Sequence, residues 1–296
     1  MLASLNLIDR LYLIYLAVIT VLAVFSGRSI AALVLAHAAI ALVILLLAAN
    51  RSQSAALRFV HDWYPLAMFI FTFEEVARFS LVLVPRWEDF RLIPFEQHLG
   101  SGLPNLWSMQ YASRALSEFM DLGYFSYYPL FPVTAGVLYA RKDKQPFRDL
   151  VLASVLMYLI SFTVYLLFPT EGPRHALPGF HAPPPGWFFS FLVHMIQGSA
   201  GVHGNALPSS HVALSVLCGW ASYKNAKRLF PYVAASTCLI SAGAVYDGYH
   251  YASDVLAGLF IALISAALVD IGARLRDGSF TRQSDRQRER CNSFSK

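Results

Sequence analysis

Two short segments of this chain hold residue types that do phosphoryl chemistry: Leu207-Pro208-Ser209-Ser210-His211 and His250-Tyr251-Ala252-Ser253-Asp254. A histidine whose ring is held by a carboxylate can attack phosphorus, and a second histidine can protonate the departing oxygen. His250 and Asp254 are four positions apart, so at a helix start they share one face, where the carboxylate can fix the tautomer of the ring. An aspartate near a helix start is also a common cap, and the spacing alone leaves both readings open. His211 follows Ser209 and Ser210. A serine-capped helix start presents free N–H groups and partial positive charge to a phosphate, but the same residues also serve as a plain cap.

Both segments must be positioned by a membrane protein. Hydrophobic residues make up 56% of the 296 and charged residues 14%, with a mean hydropathy of +0.50. That composition excludes an ordinary soluble domain. Eight apolar stretches reach or approach the length that crosses a hydrocarbon core, at about 10–27, 29–49, 63–85, 119–140, 149–168, 208–223, 230–247 and 251–272. The first is followed at once by a second and shows no small-residue cleavage site, so it is read as a retained helix with the chain beginning at Met1.

Basic residues set the expected orientation. Arg141, Lys142, Lys144, Arg148, Lys224, Lys227, Arg228 and the arginines from Arg274 onward share one side with Arg10, Arg51 and Arg58. The other side holds only Arg28, Arg86, Arg91, Arg114 and Arg174. Lys and Arg favour the cytoplasmic side, so both termini are expected there and both histidine segments on the opposite face. The net charge of +5 and pI near 9.1 come from juxtamembrane loops and the tail. They point to anionic inner-leaflet lipid, and no nucleic-acid partner is expected. Residues 277–296, rich in Arg, Ser, Gln and Asp, read as a disordered basic tail. Cys218, Cys238 and Cys291 offer no disulfide framework and no metal-ligand spacing.

Two long segments on the face of the histidines, 86–118 and 169–207, are large enough to cover a site. The first mixes Trp87, Phe90, Phe95 and Trp107 with charges, as an interfacial amphipathic segment does. The second is broken by Pro and Gly and contains a short aromatic helix over Trp187 to Gln197. Arg174 is its one Lys or Arg, and a guanidinium clamps phosphate oxygens in bidentate fashion. His175, His181, His194 and His203 lie there without metal-ligand spacing, so no metal is expected. In the third stretch, Glu74, Glu75 and Arg78 are costly inside a bilayer; a Glu74–Arg78 ion pair and a head-group or acceptor role are both open. At the outward end of the fourth, Glu118, Asp121, Tyr124, Tyr127 and Tyr128 can face a polar acceptor, or the tyrosines can form an aromatic belt.

Pro208-Ser209-Ser210-His211 and Tyr249 to Gly258 resemble the second and third signature segments of the type 2 phosphatidic acid phosphatase superfamily. The resemblance covers about Phe168 to Gly258. It implies His250 as nucleophile oriented by Asp254, His211 as general acid, and Ser209 and Ser210 as phosphate ligands, with no cofactor. Two features depart from the phosphatase pattern. Gly243-Ala244 stands where a Ser-Arg pair is expected, and Pro169 to Arg174 replaces the Lys-containing first signature. The altered pattern is similar to the branch containing inositol phosphorylceramide synthases and related lipid phosphotransferases, and in its triad to sphingomyelin synthases.

The sequence thus predicts an all-α polytopic protein of about eight transmembrane helices. Within one domain over 1–276, the resemblance implies a six-helix catalytic core over about 63–272, with extra amino-terminal helices over about 1–62 packed outside it. The implied reaction passes a phospho-group from a phospholipid donor through a phosphohistidine to a lipid or polyol acceptor; a phosphatase differs in using water. A transporter or scaffold is the competing class, but it needs inward-facing polar residues repeated in several spans, and most of these spans lack them.

Overall fold

The computed structural model describes residues 4–26, 31–98, 103–200 and 204–293, with 199–200 and 277–293 described by backbone only. Arg28 and His203 lie outside the described residues. The architecture is all-helical, in chain order α1 (Leu7–Phe25), α2 (Ala31–Asn50), α3 (Ala55–Ala77), α4 (Asp89–His98), α5 (Pro104–Met109), α6 (Arg114–Phe125), α7 (Tyr127–Tyr139), α8 (Gln145–Leu167), α9 (Pro173–Ala176), α10 (Phe188–Ala200), α11 (Ser210–Asn225), α12 (Phe230–Tyr246) and α13 (Ala252–Ser293).

Each of the eight apolar stretches contains helix among the described residues. Among the described residues, α1, α2, α8 and the 252–276 part of α13 are by themselves long and apolar enough to cross a bilayer. The third stretch begins earlier than expected and ends at Ala77, after which residues 78–85 turn. The fourth is broken at Ser126 into α6 and α7. The tail departs from expectation: the backbone of α13 runs on as helix to Ser293. Arg, Gln and Glu are good helix formers, and a chain extending an existing helix has no nucleation cost to overcome.

Helix α11 is the hub, packed on α7, α8, α12 and α13. Its buried face of small residues, Ala213, Ser215, Cys218, Ala221 and Ser222, lets these neighbours approach closely. Cys218 and Cys238 are free thiols. The apolar core runs through α1, α3, α7, α8, α11 and α13, while Ile14, Val18, Leu35 and Leu42 point outward, as lipid-facing side chains do.

The first three helices are tied together by buried polar contacts. Asn6 and Asp9 cap α1 reciprocally, and the Asp9 carboxylate also meets His61 at 3.1 Å and accepts from the Tyr64 hydroxyl at 2.9 Å. One level further along, Glu75 contacts His37 Nε2 at 2.6 Å and accepts from the Tyr15 hydroxyl at 2.8 Å. Because α3 also packs on α8, the division expected at residue 62 falls inside a single helix that bridges the two parts. Removing one partner of a buried pair leaves an uncompensated group in the bilayer. His37→Ala is therefore expected to destabilise the protein by about 3 kcal/mol, and His37→Leu combined with Glu75→Leu by much less. Thermal unfolding of the detergent-solubilised variants checks both.

Candidate active site

Three elements meet at one end of the bundle: the loop after α8 that carries Arg174, the start of α11, and the turn between α12 and α13. The rings of His211 and His250 lie 6.1 Å apart, centre to centre. Both face a chamber of about 950 Å³ that is also lined by Arg174, Ser210 and Tyr249.

His250 is held from its Nδ1 side, 2.8 Å from the carbonyl oxygen of Ala206 and 3.5 Å from Asp254 Oδ2. A carbonyl only accepts, so Nδ1 carries the hydrogen and Nε2 keeps the lone pair of the neutral ring. The carboxylate is therefore a second, longer anchor where the sequence predicts the first. Asp254 is fully buried and its Oδ2 also accepts from Tyr251 N–H at 2.8 Å, so it shapes the start of α13 as well as facing the ring.

His211 stands within a cage of rings: Tyr127 at 4.3 Å, Tyr124 at 5.3 Å and Phe73 edge-on at 6.4 Å. Its Nδ1 is buried and unpartnered among the described residues. Ser210 lines the chamber, but Ser209 does not: its hydroxyl accepts from Val212 N–H and its own N–H donates to the Asp254 carbonyl at 2.9 Å. The serine pair divides its work, one residue capping α11 and the other facing the cavity.

The third-segment glycine explains how the two histidine segments come so close. A Cβ on Gly258 would stand 2.4 Å from the Ser209 carbonyl oxygen, so α13 and the turn before α11 touch backbone to backbone. Gly172 (φ +89°) crosses Tyr249 in the same manner, with 2.8 Å from a built Cβ to that carbonyl oxygen. The absent arginine has a packing reason. Gly243 lies against the Met120 carbonyl and the Tyr124 side chain, and Ala244 packs with Tyr124 and Val193, so tyrosine fills the space above these two residues. Arg174 reaches the chamber from the other loop, its guanidinium 4.2 Å from the Tyr249 ring centre and its Nε donating to the Asp247 carbonyl at 2.8 Å.

The acceptor candidates separate. Glu74, Tyr124, Tyr127 and Tyr128 line the chamber, as do His175 and His194. Glu75 does not, because it turns to His37 and Tyr15, and Arg78 caps α3 outside the chamber wall. Asp121 is buried beside the Ser190 hydroxyl.

Sequence reasoning missed the supporting frame, which comes from the segment expected to be an interfacial cover. Asp89 accepts from Glu171 and Gly172 N–H at 2.9 Å each, fixing the Arg174 loop. Glu96, fully buried, accepts from Ala252 and Ser253 N–H at the start of α13. The Asn105 amide donates to the carbonyls of Val245 and His250. Asp89 and Glu96 are seven residues apart on one face of α4, a pattern legible only once the helix is known.

Residues 91–268 match the family model of the PAP2 superfamily. The chain belongs to that superfamily. The chain is 28% identical to a PA-phosphatase related-family protein of Dictyostelium discoideum over 126 residues, 39% of this chain and 22% of the other, so it spans about a fifth of that relative's length. A crystal structure of Aquifex aeolicus LpxE is similar with a TM-score of 0.45 and 19% identity, covering 62% of this chain and 96% of that one.

Part of the roof of the chamber is α10; the N–H of Trp187, just before it, and those of its first three residues, Phe188 to Ser190, all donate to the Glu118 carboxylate just outside the fourth apolar stretch. Burial pushes the Glu118 carboxyl up, but these four donors together hold it below its ordinary value. A depressed value means that the stabilisation is present above the unfolded carboxyl's titration and is lost as pH falls through the folded one. Amide exchange in α10 is therefore expected to quicken as pH falls below the ordinary carboxylate range, after correction for the intrinsic rate. Glu118→Ala should give the fast exchange at neutral pH. A second expectation concerns Gly258→Ala, which must push α13 away from Ser209 and cost about 1–3 kcal/mol, read from thermal unfolding.

Proposed function

We propose that the chain is a lipid phosphotransferase in which His250 Nε2 attacks the phosphorus of a phospholipid donor. The P–N bond forms as the P–O bond to the leaving group breaks, and the imidazolium of His211 gives its proton to the departing oxygen. The acceptor hydroxyl then returns a proton to His211 and attacks the phosphohistidine, releasing Nε2. Arg174, Ser210 and the positive end of the α11 dipole hold the phosphate oxygens through both steps. Asp254 and the Ala206 carbonyl keep Nδ1 protonated, so that only Nε2 is nucleophilic.

The observation that carries this reading is the 6.1 Å separation of the two rings across one chamber, with His250 anchored from its Nδ1 side. That distance is about two hydrogen-bond lengths, room for one phosphoryl group to touch both. The size of the chamber, about 950 Å³, supports transfer, since a phosphate alone needs a small part of it. So does the tyrosine packing at Gly243 and Ala244, which excludes the arginine of the phosphatase pattern. On this reading the chain sits in the branch of the inositol phosphorylceramide synthases, with a sphingolipid- or glycerolipid-type alcohol or a polyol as acceptor. Charge asymmetry supports a site on the extracytoplasmic face with both termini in the cytoplasm. On this reading α1 and α2 are additions to a catalytic core that starts within α3.

Hydrolysis is the second reading, supported by the name of the Dictyostelium relative. Labelled phospholipid supplied in vesicles with ceramide or diacylglycerol separates the two: a new labelled phospholipid is expected, and free phosphate alone would assign water as the acceptor. His250→Ala is expected to lower turnover by roughly 10³-fold or more. Asp254→Asn should cost less, on the order of 10²-fold, because the Ala206 carbonyl still holds the ring.

A further inference from the structure

The wall that α3 gives to the chamber is a single helical stripe, Leu66, Phe69, Ile70, Phe73 and Glu74, at positions i, i+3, i+4, i+7 and i+8. Four of the five are apolar. The carboxylate comes last, at the level of the catalytic rings, since Phe73 beside it meets His211 edge-on at 6.4 Å and Tyr165 at 6.3 Å. The neighbouring acid, Glu75, is satisfied by His37 and Tyr15. Glu74 makes no hydrogen bond or ion pair among the described residues. An unpaired carboxylate on a helix within the bilayer is costly and persists where a bound partner or chamber water meets it.

We propose that Glu74 is a specificity-determining residue that binds the hydrogen-bond donors, hydroxyl or ammonium, of an amphiphile whose chain lies along Leu66, Phe69 and Ile70. The inference rests on the reading of the chamber as the site of phosphoryl transfer. Ile70 lines the chamber and is yet largely exposed, so the cavity is open at the apolar part of the stripe. A chain entering past it delivers its head group to the level where Glu74 and His211 stand. The guanidinium of Arg174 serves the phosphate, and Glu74 serves what is attached to the phosphate or is about to receive it. A bare phosphomonoester lacks those donors and brings its own negative charge towards the carboxylate, so the same residue disfavours it. One side chain thereby attracts a substituted head group and repels the unsubstituted one.

The test compares wild type with Glu74→Leu and the nearly isosteric Glu74→Gln in vesicles, measuring kcat and KM for phosphatidic acid, phosphatidylethanolamine and phosphatidylinositol as donors. Ceramide and inositol are then compared as acceptors with phosphatidic acid as fixed donor. Glu74→Leu is expected to lower the kcat/KM of donor-bearing head groups relative to phosphatidic acid by about tenfold or more, mainly through KM. Glu74→Gln keeps an oxygen that accepts from hydroxyls but loses the charge. It should therefore depress the ethanolamine lipid more than the inositol lipid, while relieving the repulsion of phosphatidic acid. An effect confined to the acceptor series assigns Glu74 to the incoming alcohol; one in the donor series assigns it to the donor head group. Ratios unchanged in whichever variant folds, or all substrates depressed equally, would overturn the inference. His250→Ala runs beside them: turnover surviving there defeats the catalytic reading, whereas its loss together with invariant Glu74 ratios defeats this inference alone.

Discussion

The contact between the turn before α11 and the first turns of α13 is the constraint on which the site depends. Ser209 donates its N–H to the Asp254 carbonyl at 2.9 Å, and Gly258 removes the side chain that would hold the two backbones apart. His211 is attached to one of these segments and His250 to the other. Their separation is thus set by backbone groups, which have few ways to relax, rather than by long side chains reaching across a gap. The same contact makes Asp254 serve twice, its carbonyl fixing Ser209 and its carboxylate facing His250 and Tyr251 N–H.

Around this contact the protein places ionisable groups in an apolar bundle and satisfies almost all of them with fixed partners. Glu96 and Asp89 receive backbone N–H groups of the site loops, Glu118 receives four at the start of α10, and Glu75 and Asp9 each take a histidine and a tyrosine. A carboxylate at the start of a helix or loop is favourable there because it meets donors that would otherwise be unpaired in a medium without water. Glu74 stands out against that background as an acid with an open chamber in front of it.

Much of this was legible in the sequence for definite reasons. Apolar length gave the helices, and counting helices together with Lys and Arg brought His211, His250 and Arg174 to one end of the bundle. The seam at Gly258 was visible as part of a motif, though not as a close approach of backbones. Other features were hidden because they depend on which face of a helix turns where. Glu74 and Glu75 are adjacent in sequence, yet one lines the chamber and the other closes a contact with α1 and α2. Ser209 and Ser210 divide in the same way between cap and cavity. The roles of Asp89, Glu96 and Asn105 belong to tertiary hydrogen bonds spanning up to 157 positions, which no local pattern encodes.

The central claim is that one phosphoryl group passes between His250 and the neighbourhood of His211. Rapid quenching of turnover with a phosphate-labelled lipid, under alkaline conditions that preserve phosphohistidine, followed by peptide mapping, tests it most directly. The account predicts label on His250 that is absent from His250→Ala and persists longer in His211→Ala, where the resolving step loses its base. Label on another residue, or full turnover with none on His250 at any time point, would contradict it.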